Sequence, residues 1–503
     1  MDSSVMETAY TPAWQAGLLV MSKTRRSTRK RRRGAGKNGG QEHTGGASLT
    51  GLDRLLDRYL VLLLFLALIS LTLLSAETPL LTSLLGLILC VTGMVQRRGN
   101  VDLWVLIPLI SYQVFSVISF CMAYNGASTG MIADFISAQA FYPVLYLLMA
   151  FLDKEERLWL KRLCLLWTGC VAGLGLIQFM LRALDGRAAR LDGVFGNPNA
   201  MGAFLVIGWL VLQTCLPERE EDGRRFWLAL EPLLLAVLAL TLSMGSFVSM
   251  AVGVLVLILS QARGGTWRDA MAFACDLLAR AGFGMGLGVL MYTAARRSGQ
   301  PWLCIPLAVY LLAAMLFWHS FRAFLEDFPK AAAAMTALGA LVAVAVILSR
   351  PSSIATFQER LAMMRNGFSY LTVHPLWGLG PYHWRVYNYL DSDLYFNTYH
   401  IHNVPLHIGV ELGLPAMVMA VTVLVRRFLK KSEPGHIAGF TAFVVHNLID
   451  TSFFYTGITA MTLMTVAEPG NRGRELPALV IRLIFAGYAA LFVVYFLFGL
   501  GLI

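Results

Sequence analysis

Charge is what this chain has least of. Acidic and basic residues make up 14% of its 503, against about 25% in an ordinary soluble protein. At 57% apolar, it has too little polar surface to face water on all sides. That excludes a soluble globular protein and leaves one covered by lipid. Cysteine chemistry is lacking too. Cys90, Cys121, Cys164, Cys170, Cys215, Cys275 and Cys304 all fall inside apolar runs, with no CxxC pair and no zinc-site spacing. They read as small buried hydrophobes, and no metal site is expected. The chain has no convincing internal repeat, whereas many secondary transporters are built from repeats. Nor does it open like a secreted protein: residues 1–55 are largely polar, so the first span is expected to act as an uncleaved anchor.

What the chain has instead is apolar length. A membrane-crossing helix needs roughly 20 mostly apolar residues. Such stretches recur at 57–75, 79–95, 101–123, 131–152, 158–182, 199–216, 226–243, 246–262, 270–293, 301–319 and 330–349. A long polar stretch, 350–401, follows, and further apolar segments lie at 402–425, 436–450, 453–467 and 476–501. The pattern predicts an all-α polytopic membrane protein of about 12–15 transmembrane helices with one large external loop late in the chain. Its regions are then a disordered basic tail over 1–55, a transmembrane bundle over 56–349, the loop over 350–401 and C-terminal transmembrane helices over 402–503.

Charge sets the orientation. The net charge of +11 comes largely from TRRSTRKRRRGAGK at 24–37. It reads as a cytoplasmic tail that obeys the positive-inside rule and touches anionic lipid. The sharper reading, an arm for nucleic acid, is set aside. Loops placed inside are basic, as at 96–98, 154–162, 219–225, 263–268 and 426–431, whereas 76–79 and 123–130 are nearly bare. The protein is expected in the cytoplasmic membrane with its N-terminus cytoplasmic. Two outside stretches break the rule: 182–199, with Arg182, Arg187 and Arg190, and 350–401, with Arg350, Arg360, Arg365 and Arg385. Arginine that orientation does not require is placed to bind an anion. Arg296 and Arg297, which have no motif around them, are read as carrying no function.

Two of these stretches hold residues suited to chemistry. Arg190-Leu-Asp-Gly-Val-Phe-Gly-Asn-Pro-Asn199 is punctuated as a turn by Gly193, Gly196 and Pro198, with Asn199 placed to cap the next helix. A helix start beside an arginine seats phosphate, although a plain capped turn carries the same punctuation. Asn366–Tyr382 contains His374 and ends in Gly378-Leu-Gly380-Pro381. It is followed by Tyr399-His-Ile-His-Asn403, then His407, Glu411 and Gly413. With a helix starting near His402, Asn403, His407 and Glu411 recur every four residues on one face. Polar groups on such a face point into the bundle, not toward lipid. His402, at the outer mouth, is placed to take a proton from a hydroxyl. A metal site at His400, His402 and His407 is the competing reading, but no two of these are four apart and no carboxylate cluster completes it.

Three weaker features complete the inventory. His446 and Asp450, with Asn447 between them, read as a hydrogen-bonded pair joining two helices or as part of a site. Ser243-Met-Gly-Ser246 is a tight turn between spans. The aromatics Tyr382, Trp384, Tyr387, Tyr389, Tyr395, Phe396 and Tyr399 suit either an interfacial belt or sugar stacking.

Together these residues resemble the O-antigen ligase and O-antigen polymerase superfamily. The likeness lies in R-x-x-G-x-F-x-N-P-N at Arg190–Asn199 and in a late loop that opens with Arg360 and runs through His374-Pro-x-x-Gly-x-Gly380-Pro381. It continues with His402-Asn403, Glu411, Gly413 and His446-Asn-x-x-Asp450. The resemblance implies a GT-C-like, metal-independent, inverting glycosyltransferase without cofactor, with 350–401 as its catalytic loop. It implies an undecaprenyl-diphosphate-linked glycan as donor and a saccharide or lipid-anchored hydroxyl as acceptor. By the same resemblance His402 and Arg190 are catalytic, and Arg190, Arg187, Arg360 and Arg365 hold the donor diphosphate. Asn403, His407, Glu411, His374, Gly380, His446 and Asp450 support the acceptor. One departure stands out: where the family often carries Ser-Arg-Gly between two central spans, this chain has Ser243-Met244-Gly245. Either another arginine serves there, or the donor is held differently, or catalysis has been lost. The alternative function is a transporter or flippase for a lipid-linked or anionic envelope precursor. Polar residues gathered at one external face, not at the midplane, favour surface chemistry.

Overall fold

A computed structural model describes residues 51–74, 78–96, 99–123, 129–215, 223–297, 300–348, 352–390, 398–429, 432–466 and 473–502. Residues 1–50 of the expected tail, Arg350, Tyr395 and Phe396 lie outside these, as does the side chain of Arg297, whereas 51–55 already belong to the first helix. The described residues form 18 α-helices: α1 (Gly51–Leu73), α2 (Pro79–Val95), α3 (Leu103–Met122), α4 (Thr129–Phe151), α5 (Lys154–Leu184), α6 (Pro198–Leu212), α7 (Arg224–Thr241), α8 (Met244–Gly264), α9 (Trp267–Arg297), α10 (Cys304–Asp327), α11 (Pro329–Leu348), α12 (Ser352–Val373), α13 (Trp384–Leu390), α14 (Val404–Leu412), α15 (Leu414–Phe428), α16 (Pro434–Asn447), α17 (Thr456–Val466) and α18 (Ala478–Gly499). Among the described residues, seven stretches are long and apolar enough to cross a membrane, and three shorter apolar helices accompany them. The chain is an all-α, multi-pass membrane protein.

Local chemistry sets where these helices start. A capping box, in which Asp153 and Glu156 bond each other's backbone N–H, opens α5. Asn197 caps α6 by accepting from the N–H of Asn199 and Ala200. The expectation that Asn199 is the cap is therefore corrected by two residues. Pro198, with its fixed φ and no N–H to lose, suits the first helical position and pushes the cap back to its neighbour. Ser243 caps α8.

Burial separates the centre of the bundle from its rim. α6 is buried along nearly its whole length among α5, α7, α8 and α16. On α10, Val309, Leu312, Leu316 and Phe317 instead face outward, a surface that only lipid can cover. The same reasoning corrects the cysteines: Cys90, Cys164, Cys215 and Cys304 are buried, but Cys121 and Cys170 are exposed. Hydrocarbon accepts a thiol as readily as a protein core does. Backbones approach closely where small residues permit; a Cβ at Gly288 on α9 would collide with the Ala236 carbonyl oxygen on α7.

Three features depart from the sequence expectation. The stretch 350–401 is largely helical, since α12 alone runs for 22 residues. The expected span over 402–425 is two helices broken at Gly413, which takes a φ of +89° that other residues rarely adopt. And the interior of the helix bundle holds a charged knot. Arg280 of α9 pairs with Glu231 of α7 and, at 2.9 Å, with Asp276. Glu231 also accepts from Trp209, Gln213 and Trp318.

α3 marks the two ends of the bundle. At its start, Asp102 pairs with Arg426 at 2.8 Å, beside a two-residue antiparallel pairing of β1 (Asn100–Val101) with β2 (Arg474–Glu475). Near its other end, Ser119 donates to the Glu411 carbonyl. The polar motifs singled out above gather at this second end.

Candidate functional site

The Arg190 turn is fastened to the end of α7. The Leu191 N–H donates to the Leu240 carbonyl, and Arg190 donates through Nε to the Thr241 carbonyl and through its terminal nitrogen to Asn199 Oδ1, both at 2.9 Å. Gly193 and Gly196, at φ of +57° and +61°, let the chain turn back into α6. Arg296, read from the sequence as idle, donates to the Ala188 carbonyl at 2.7 Å and braces the same loop. Arg187 points away: it is mostly exposed and paired with Asp185. Arg182 pairs with Asp192 at 2.7 Å.

A second cluster forms from three distant segments. Arg360 of α12 donates to the Ile449 carbonyl at 2.6 Å and to the Asp450 carboxylate at 3.0 Å, while its buried Nε has no hydrogen-bond partner. His402, in the turn before α14, is buried within reach of the charges of Asp450, Arg360 and His446. His446, near the end of α16, meets the Ser452 hydroxyl at 3.0 Å through Nδ1. Its Nε2 has no partner and faces Gly245, whose built Cβ would lie 3.5 Å away. The Ser243-Met244-Gly245 turn therefore packs against the His446–Asp450 turn, which Arg360 bonds. An arginine from α12 reaches the neighbourhood of the one missing at position 244.

The two clusters adjoin. Ser246 Oγ lies 3.4 Å from the Asn199 carbonyl, Tyr455 hydrogen-bonds Asn197, and the Phe195 and Tyr455 rings meet edge to face at 6.0 Å. Burial pushes the His402 imidazole, which lies outside the spans, down to about 4; Arg360 and His446 act the same way and Asp450 opposes them. His402 is thus neutral at pH 7 and can accept a proton. Burial works against the charge of Asp450, but His446, His402, Arg360 and the Thr451 N–H outweigh it and hold the carboxyl below its usual range.

The supporting residues divide. Asn403 caps α14 through the Leu406 N–H and donates to the Leu448 carbonyl, so it ties the His402 turn to α16. His407 Nε2 lies 3.2 Å from His400 Nδ1 and 3.5 Å from the Glu411 carboxylate. The backbone N–H groups of Tyr382 and Trp384 also serve Glu411. Gly378 and Gly380 take φ of +70° and +110°, and the turn they form hydrogen-bonds α14 through Leu379 N–H to Val410 and Gly380 N–H to Glu411. These residues shape the loop. His374 and Arg365 are exposed on it. Trp384 is fully buried in a small core with Met363 and Ile401, while Tyr389 and Tyr399 remain exposed.

The sequence places Arg385 among the loop arginines suited to an anion but with no named role in the site. Its guanidinium lies 4.0 Å from the Tyr382 ring centre and 4.5 Å from that of Tyr399. The Tyr382 partner is i,i−3 and legible in principle; Tyr399 is not. Spacing also gave no hint that the ligand atoms of Cys215, Glu433 and His436 lie within 4.8 Å of one another. Lys161 Nζ, 3.5 Å from the Glu433 carboxylate, brings a positive charge that disfavours a cation there.

The model of the family described as O-antigen ligase matches residues 278–421. That stretch runs from within α9 to within α15 and takes in Arg360, His402, Asn403, His407 and Glu411. Arg190, His446 and Asp450 lie outside it. No curated protein matches the chain.

Proposed function

We propose that this chain, a member of the O-antigen ligase superfamily by its 278–421 segment, transfers a glycan from an undecaprenyl diphosphate carrier to a hydroxyl acceptor at the outer face of the cytoplasmic membrane. The N-terminus is then cytoplasmic. The observation that carries the reading is convergence: Arg360, His402, His446 and Asp450, from α12, the turn before α14 and the end of α16, meet beside the Arg190 turn.

The chemistry is a single displacement. The acceptor oxygen attacks the anomeric carbon, the bond to the diphosphate oxygen breaks with inversion, and the acceptor proton passes to neutral His402. Asp450, held ionised beside Arg360, then stabilises the imidazolium. Charge builds on the departing diphosphate, where a fixed guanidinium contributes most in the transition state. Arg190 and Arg360 supply it, and their planar forks engage two phosphate oxygens at once. The reading needs no metal and no cofactor. The carrier tail also has a berth: an apolar cavity of about 580 Å³ between α8 and α9, lined by Leu242, Met244 and Phe247, begins one residue from the carbonyl that Arg190 bonds.

The test is a host lacking the gene, complemented with wild type, His402→Ala or empty vector at matched expression. Surface-glycan ladders and lipid-diphosphate-linked sugars are then compared. Wild type alone is expected to restore the glycan, with lipid-linked precursor accumulating in His402→Ala. Single-repeat products would then assign polymerase, and full-length unattached chains ligase. Full restoration by His402→Ala would sink the reading and bring forward the transporter for a lipid-linked or anionic envelope precursor.

A further inference from the structure

A second cavity adjoins the site and has a different character. It encloses about 300 Å³ and is lined by Arg385, His400, Gln139 and the aromatic side chains Phe195, Phe454 and Tyr455, among others. That volume is at the small end of ligand pockets, which run about 300–1,000 Å³. Phe195 belongs to the Arg190 turn, and Tyr455 hydrogen-bonds Asn197. The cavity therefore opens between the Arg190 turn and the His400–His407 segment.

Arg385 is held in a particular way. Tyr382 and Tyr399 hold its guanidinium 4.0 and 4.5 Å from their ring centres. Its Nε is buried without a hydrogen-bond partner, and among the described residues no carboxylate forms an ion pair with it. Aromatic contacts favour the cation but leave its N–H edge unused, and that edge is what binds carboxylate or phosphate in two-point fashion. The clamp also rests on unusual backbone. Tyr382 adopts a φ of +63°, in the left-handed region that residues with a side chain rarely occupy. Gly380 precedes it at +110°, and the Glu411 carboxylate takes the N–H groups of Tyr382 and Trp384.

The neighbouring polar group adds no charge of its own. His400 stacks on Phe454 at 3.9 Å with the rings within 7° of parallel. Burial, with His407, Arg385 and His402, holds its imidazole well below the usual range. The pocket thus combines one fixed cation, a neutral imidazole and aromatic walls. Those are the groups that a sugar ring carrying a single negative charge would use.

We propose that this cavity binds an acidic saccharide unit of the glycan, with Arg385 engaging its carboxylate or phosphate. The proposal rests on the glycan-joining reading and makes the enzyme selective for chains that carry an anionic residue near the junction.

The experiment uses the full chain in phosphatidylcholine nanodiscs, titrated with glucuronate, glucose 6-phosphate and glucose. At least one anionic sugar is expected to bind about tenfold tighter than glucose, as a charge-assisted fork implies, and Arg385→Gln to bring it to the level of glucose. Preference for glucuronate assigns a carboxylate, and preference for glucose 6-phosphate a phosphate. Equal binding of all three by wild type overturns the proposal, as does anionic binding that survives Arg385→Gln. If Arg385→Gln fails to fold, Arg385→Lys, which keeps the charge and loses the fork, should weaken the anionic sugars and leave glucose unchanged. The His402→Ala protein should retain the selectivity. Failure of the joining reading appears in the host assay and failure of the pocket in the titration, so the two are separable.

Discussion

Two buried polar clusters lie in this bundle, and they are built on opposite terms. In the knot, four donors from α6, the turn after it, α9 and α10 converge on the Glu231 carboxylate of α7, and Arg280 spends its donors on Glu231, Asp276 and Gln213. In the cluster around Asp450, nitrogen atoms of Arg360 and His446 remain buried without partners. A charge inside the bundle is tolerated when it is paired, so the knot reads as structure: it fastens helices together. Polar atoms left uncompensated at a bundle end cost stability, and such a cost persists where a substrate supplies the missing partner. Burial does not separate the two clusters, but what goes short does: in the knot it is one carboxylate oxygen of Asp276, and at the bundle end it is nitrogens of Arg360 and His446, which suit an anionic substrate.

The largest effect should come from breaking the knot. Arg280→Ala leaves Glu231 and Asp276 buried and uncompensated, a loss of about 3–5 kcal/mol, and should remove most folded protein from the membrane by fluorescence size-exclusion. Breaking the other cluster should spare the fold. His402→Ala is expected to slow product formation by about 10²–10⁴-fold with an unchanged melting temperature; a matching loss of folded protein would place His402 with the knot. A finer probe is pH. With His402 at about 4, transfer should persist at pH 5, where a histidine at the ordinary 6.5 would be mostly protonated. The activity would then fall only as the pH approaches 4, and a midpoint near 6.5 would remove His402 as the base. The smallest effect should be Arg187→Ala, within about twofold, since an exposed ion pair contributes little; a large loss would mean that the loop rearranges around substrate.

Much of this was legible in the chain. Apolar length located most helices, as in 330–349 against Pro329–Leu348, because a bilayer imposes that length directly. The motif residues Arg190, Arg360, His402, His446 and Asp450 were legible as separate polar islands. Their meeting was not, since Arg360 and Asp450 stand 90 positions apart. The knot was hidden for a similar reason: Glu231 and Arg280 each look like a stray charge in an apolar run, and only the packing of α7 on α9 pairs them. The helical nature of 352–373 escaped because a polar helix lying outside the apolar pattern carries no periodic signature strong enough to separate it from a loop.

The break at Gly413 has a consequence for how the protein is made. α14 is 9 residues long, about 13 Å at 1.5 Å per residue, under half of a ~30 Å hydrocarbon core. It cannot enter the bilayer as an independent span, and its carboxyl end is completed by the turn at 378–380, made earlier in the chain. Asp450 and Tyr455 emerge later still. A ribosome therefore synthesises Arg190, Arg360 and Arg385 before the turn that bonds Arg360, and a chain arrested short of α16 lacks that turn.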